Sequence, residues 1–71
     1  MMKDTYKVEF YGYNDPTTVI GYHIVEDVSK LEANEFAYNM LTNNPNQKFI
    51  VLDSGGIRIS DIRSFSAKRH Y

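Results

Sequence analysis

Ser29-Lys30-Leu31-Glu32 constrains this chain more than any other stretch. A serine followed three residues later by glutamate is the pattern of a capping box, in which the hydroxyl and the carboxylate satisfy amide donors left over at a helix start. Val28 ahead of it is placed to staple onto Ala33. Residues 30 to 43 set out at 100° intervals bring Ala33, Phe36, Ala37, Met40 and Leu41 onto one arc, opposite Glu32, Glu35, Asn39 and Thr42. Leu31 and Tyr38 lie off that arc together, on a flank free for a partner. Asn43-Asn44-Pro45-Asn46 ends the helix, because proline cannot continue it and asparagine accepts a left-handed cap.

On either side of this helix the pattern changes to the period of a strand. Tyr6, Val8 and Phe10 alternate with Lys7 and Glu9, as in a half-buried strand. Gly12-Tyr13-Asn14-Asp15-Pro16 turns the chain. Thr17 to Val25 is rich in β-branched and aromatic residues on both faces, which predicts a central strand or one that offers a face to another subunit. Gln47 to Leu52 is a short apolar strand, Asp53-Ser54-Gly55-Gly56 a hairpin connection using two glycines for positive φ, and Ile57-Arg58-Ile59 the start of the last strand. The break before Ile62 predicts a bulge or short turn at Ser60-Asp61, after which Arg63, Phe65 and Ala67 resume the strand. The expected fold is α+β: one antiparallel four-stranded sheet with one helix on one face, in the order β-β-α-β-β. Residues 1–71 form one domain, with 67–71 a flexible tail.

Seventy-one residues bury a small core, and there is no cysteine to staple it. Without cysteine, and with only His23 and His70, disulfides and the usual structural zinc sites are excluded. Self-association is the remaining way to add buried area, so a homo-oligomer, a dimer above all, is expected. The first residues carry no apolar run of signal-peptide length and no stretch approaches about 20 apolar residues, so the expected location is cytoplasmic, without a membrane span. Charge is uneven. Residues 1 to 35 hold seven acids against three lysines, a net −4, whereas residues 36 to 71 hold five basic residues against two acids, a net +3.

No stretch carries recognisable chemistry. Leu52-Asp53-Ser54-Gly55-Gly56 shares four residues with the signature around the nucleophile of trypsin-like proteases, but lacks the leading glycine, and a chain this short cannot build the two-barrel scaffold that brings histidine and aspartate to the serine. The same glycines lead into a strand, so no helix N-terminus is there to hold a phosphate. Glu26, Asp27, Glu32 and Glu35 lack the loop pattern of a cation site and serve the helix dipole instead. His23 stands mid-strand without a nucleophile or second histidine at motif spacing. No enzymatic activity and no cofactor are expected.

Two residue groups remain. Six tyrosines are too many for one small core, and tyrosine is enriched at interfaces because it joins a rigid apolar body to a polar tip. Tyr11, Tyr13, Leu31 and Tyr38 are therefore the candidate protein-interface residues. Arg58, Arg63, Lys68 and Arg69, with His70, Phe65 and Tyr71 interleaved, are the alternative: a nucleic-acid contact in which cations meet phosphates and rings stack on bases.

Taken whole, the Tyr-rich chain, its single capped helix between two hairpins and the closing Gly-Ile-Arg-Ile-Ser-Asp-Ile-Arg-Ser-Phe strand (residues 56–65) resemble small uncharacterised proteins of Gram-positive bacteria and their phages. The resemblance spans the chain without a specific motif. It implies a phage or mobile-element accessory protein that acts by binding a host or phage factor. Some phage inhibitors of similar size resemble this layout and dimerise, but none of their functional residues is matched here. The expected function is thus a non-enzymatic protein-binding or regulatory module with an unknown protein partner.

Overall fold

A computed structural model describes residues 3–43 and 45–70. The alternation begun at Tyr6 runs through β1 (Asp4–Gly12), which pairs antiparallel with β2 (Val19–Val28), Val8 facing His23 and Phe10 facing Gly21. Helix α1 (Lys30–Thr42) starts where the capping box placed it. The Glu32 N–H donates to Ser29 Oγ at 3.2 Å and the Ser29 N–H to Glu32 Oε1 at 3.0 Å. Such a cap contributes about 1 kcal/mol. At the other end Asn43 keeps right-handed angles, φ −64° and ψ −32°, rather than the expected left-handed ones, and Asn44 lies outside the described residues.

The single four-stranded sheet is not formed. β3 (Phe49–Leu52) and β4 (Gly55–Arg58) make a separate two-stranded hairpin. A 3-10 turn at Ile59–Asp61 then redirects the chain into β5 (Ile62–Arg69), giving a three-stranded sheet of order β2-β1-β5. The break expected at Ser60-Asp61 is therefore a change of sheet. Its cause is partner length, since β3 offers four residues, whereas β1 offers nine and pairs with β5 from Tyr6↔Arg69 to Gly12↔Ile62. Only Gly55 of the two hairpin glycines takes a positive φ, +121°.

The expected tail at 67–71 is strand through Arg69. Ala67 is buried, and the His70 N–H donates to the Thr5 carbonyl at 2.9 Å. Arg69 Nε also donates to Asp4 Oδ2 at 2.6 Å, so polar residues that read as loose are held by the acids of β1. Tyr71 lies outside the described residues.

Helix and hairpin sit side by side on one face of the three-stranded sheet. Val8 and Phe10 of β1, Ala67 of β5, Ala33 and Ala37 of α1, and Ile50 and Leu52 of β3 form one buried cluster. Two alanines at i and i+4 let the helix backbone approach all three strands. The hairpin approaches just as closely over Gly21, where an added Cβ would lie 3.0 Å from Leu52 Cδ1 and 3.3 Å from Ile57 Cγ2.

The central position expected as one alternative for β2 is taken by β1; β2 is an edge strand of this sheet, and the hairpin turn covers that edge. The Tyr22 N–H donates to Ser54 Oγ at 2.9 Å, and the Ile24 N–H to Asp53 Oδ2 at 2.8 Å. His23 belongs to the same joint. Its Nδ1 accepts from the Asp53 N–H at 3.2 Å, and its ring stacks on Phe36, centroids 5.6 Å apart and planes 9° from parallel. Asp53-Ser54 thus acts as an edge cap, which satisfies strand amides that would otherwise template pairing with another chain.

Candidate functional site

The loop joining β1 to β2 is pinned by one carboxylate. Asp15 starts a turn in which Pro16 fixes φ and the Thr18 N–H donates to the Asp15 carbonyl at 3.1 Å. Its Oδ1 accepts from the Thr17 N–H and hydroxyl at 3.0 and 2.7 Å, and its Oδ2 from the Thr18 hydroxyl at 2.7 Å. These donors, the Thr17 hydroxyl first, hold its pKa below the usual carboxylate value. Between this loop and the β3-β4 hairpin lies an open cleft of about 660 Å³. Tyr13 and Ile20 line one side, Phe49, Ile57 and Arg58 the other. The Arg58 guanidinium carbon sits 5.7 Å from the Phe49 ring centroid, a cation-π arrangement that fixes the charge at the rim.

Of the four aromatic and aliphatic interface candidates, the cleft takes only Tyr13, which is 65% exposed. Tyr11 points to the opposite face of the sheet, where its hydroxyl donates to Glu9 Oε1 at 3.3 Å. Leu31 and Tyr38 share an exposed flank of α1, as their spacing predicted, and do not line the cleft. Phe49, Ile20 and Ile57 line the cleft without being among the residues expected at an interface. A signal existed, because four consecutive apolar residues in a two-stranded hairpin put two on each face and only one face packs. Ile50 and Leu52 are buried, whereas Phe49 and Val51 are 57% and 79% exposed.

The basic candidates do not gather. Arg58 is on the hairpin, and Arg63 and Arg69 stand at the two ends of β5, six residues or about 20 Å apart at the rise of a strand. Lys68 lies on the sheet face away from the helix, in a network centred on Glu9. Lys68 Nζ is 3.0 Å from Glu9 Oε1, Lys7 Nζ is 3.8 Å from Oε2, and Lys7 also lies 4.7 Å over the Tyr22 ring. Among the described residues no three His, Asp or Glu side chains converge as a metal ion would require, and no helix is long and apolar enough to cross a membrane.

The hydrogen bond from Lys68, helped by its charge, lowers the pKa of Glu9, and that of Asp4 is lowered first by the Thr5 N–H and then by Arg69. A carboxylate depressed in the folded state stabilises above its unfolded pKa, and that contribution is lost as pH falls through the folded value. The Glu9 share is therefore fully present at neutral pH, starts to fall at about 4.5, the ordinary value, and is lost as pH drops through the lower folded one. Glu9→Gln is expected to lower the urea midpoint at pH 7 and leave it nearly unchanged at pH 2, flattening the acid limb of the stability curve. Parallel curves for the two proteins would show that the network contributes nothing.

No protein-family model, no curated protein and no solved structure matches this chain.

Proposed function

We propose that this chain is a non-enzymatic protein-binding module and that the cleft between the Asp15-pinned loop and the β3-β4 hairpin is its binding surface. One observation carries the reading: apolar side chains from two separately braced elements line an open cleft with a cation held at its rim. Clefts of a few hundred Å³ with apolar walls and few fixed polar groups are where ligands bind. In the same reading the exposed helix flank of Leu31 and Tyr38 joins two copies into a homodimer, and the module serves as a phage or mobile-element accessory factor.

Photo-crosslinking in the producing cell tests this. A photoreactive residue at position 49 is expected to capture a defined protein that the same residue at position 66, on the opposite sheet face, does not capture. Equal background from both positions would remove the cleft as the binding surface.

A further inference from the structure

The cleft follows a strand edge. Gly56, Ile57 and Arg58 are consecutive and all line it, and because successive strand side chains point to opposite faces, one cleft can meet all three only along the edge of β4. That edge is open. Among the described residues β4 pairs only with β3, in the register Phe49↔Arg58, Ile50↔Ile57, Val51↔Gly56, and the Ile59 N–H donates to the Lys48 carbonyl at 2.9 Å. Bonded pairs alternate in an antiparallel ladder, so Ile57 directs its amide and carbonyl to β3, while Gly56 and Arg58 direct theirs into the cleft. The neighbouring edges are treated differently. β2 is capped by Asp53 and Ser54, and the Phe49 carbonyl on the outer edge of β3 accepts from Gln47 Nε2 at 2.9 Å. Gly56 leaves its backbone approachable, as a Cβ built there meets nothing nearer than 3.9 Å.

Charge and face then define the occupant. Arg58 has no carboxylate within ion-pair distance among the described residues, whereas Lys68 and Arg69 are paired to Glu9 and Asp4. Asp15, also on the cleft, is occupied by its own turn, and Asp61 disfavours a ligand of uniform negative charge. A peptide residue opposite Arg58 places its side chain on the outer face, beside Arg58 and Phe49. The residues before and after it point inward, toward Ile57 and Ile20.

We propose that the cleft binds an extended peptide that adds as an antiparallel strand to β4, with one acidic side chain between two apolar ones, the acid on Arg58. The proposal rests on the protein-binding reading and specifies its ligand. A second copy fits less well, because two-fold β4-β4 pairing about Ile57 sets Arg58 against Gly56 and brings no carboxylate to either guanidinium.

Fluorescence anisotropy of the full chain with labelled Ser-Val-Glu-Val-Ser and Ser-Val-Lys-Val-Ser peptides tests it. The glutamate peptide is expected to bind about tenfold or more tightly than the lysine peptide. Arg58→Glu, at an exposed position, is expected to reverse the order. N-methylation of the glutamate amide, which faces β4, abolishes binding. N-methylation of the following valine, whose amide faces away, spares it. Equal binding of both peptides, equal effects of both methylations, or no binding overturns the proposal. So does a wild-type dimer in sedimentation that Arg58→Glu dissociates while no peptide binds, which would assign the edge to a second copy. A partner crosslinked from position 49 together with failed peptides would leave the module reading standing and remove only the added strand.

Discussion

Phe10→Ala is expected to remove about 3–5 kcal/mol of stability, against a total on the order of 4–10 kcal/mol for a domain of 71 residues. Phe10 is the largest fully buried side chain. It sits on the central strand, its ring centroid 6.0 Å from that of Phe65 on β5, and faces Gly21 of β2, over which the hairpin packs. Truncation opens a void bordered by two sheets, and rigid neighbours on both sides limit its collapse. The urea transition should move to low denaturant or lose its native baseline, and near-ultraviolet circular dichroism should weaken. A cost below about 1 kcal/mol would mean that the surrounding layers close over the void and that the core is far more deformable than packed interiors are.

Gly21→Val is the second large effect, and it acts by crowding. The first added carbon falls 3.0 Å from Leu52 Cδ1 and 3.2 Å from Ser54 Oγ, and two branching methyl groups reach further. Overpacking of this kind costs about 1–3 kcal/mol, and the element that yields is the hairpin. Displacing it also withdraws Ser54 and Asp53 from the Tyr22 and Ile24 amides, so the damage extends from packing to the capped edge of β2. Hydrogen exchange at those two amides is expected to accelerate more than at the β1 amides, and concentrated samples should self-associate through the bared edge. Gly21→Ala should show the same pattern in milder form. Uniform acceleration across the sheet would mean that the hairpin is not hinged on this contact.

How far the sequence predicted this arrangement depends on the range of each interaction. The helix start was legible because both halves of the capping box lie within four residues, and β1 was legible because its alternation is strict. The division of the last strand was not. The pattern around Ser60-Asp61 signals a break, but which strand the chain meets next depends on the lengths of β1 and β3, far away in sequence. The C-terminal residues misled for a related reason, since Lys68 and Arg69 look solvated until Glu9 and Asp4 are brought beside them. At the site, Arg58 and Tyr13 were visible as a charge and an aromatic without an evident place in the core. For Phe49 the signal was partial, because an unbroken apolar run implies that one face is out but carries no period to say which. Tyr11 lies outside the cleft, on an outer sheet face where a carboxylate two residues away takes its hydroxyl, a placement that depends on which face of β1 packs.

The position of β1 between β2 and β5 sets the order in which a ribosome can deliver this fold. β2, α1 and the hairpin follow β1 directly, but the strand that completes its other side comes last and joins Tyr6 to Arg69. At roughly 5–20 residues per second, β1 waits on the order of seconds after β2 is made before β5 arrives. Until then Phe10 lacks its neighbour Phe65, and the central strand of the sheet presents an unpaired side. The nascent chain is thus vulnerable to misassociation throughout the interval between β2 and β5, and the eight-residue β5 ends that interval in a step of high contact order.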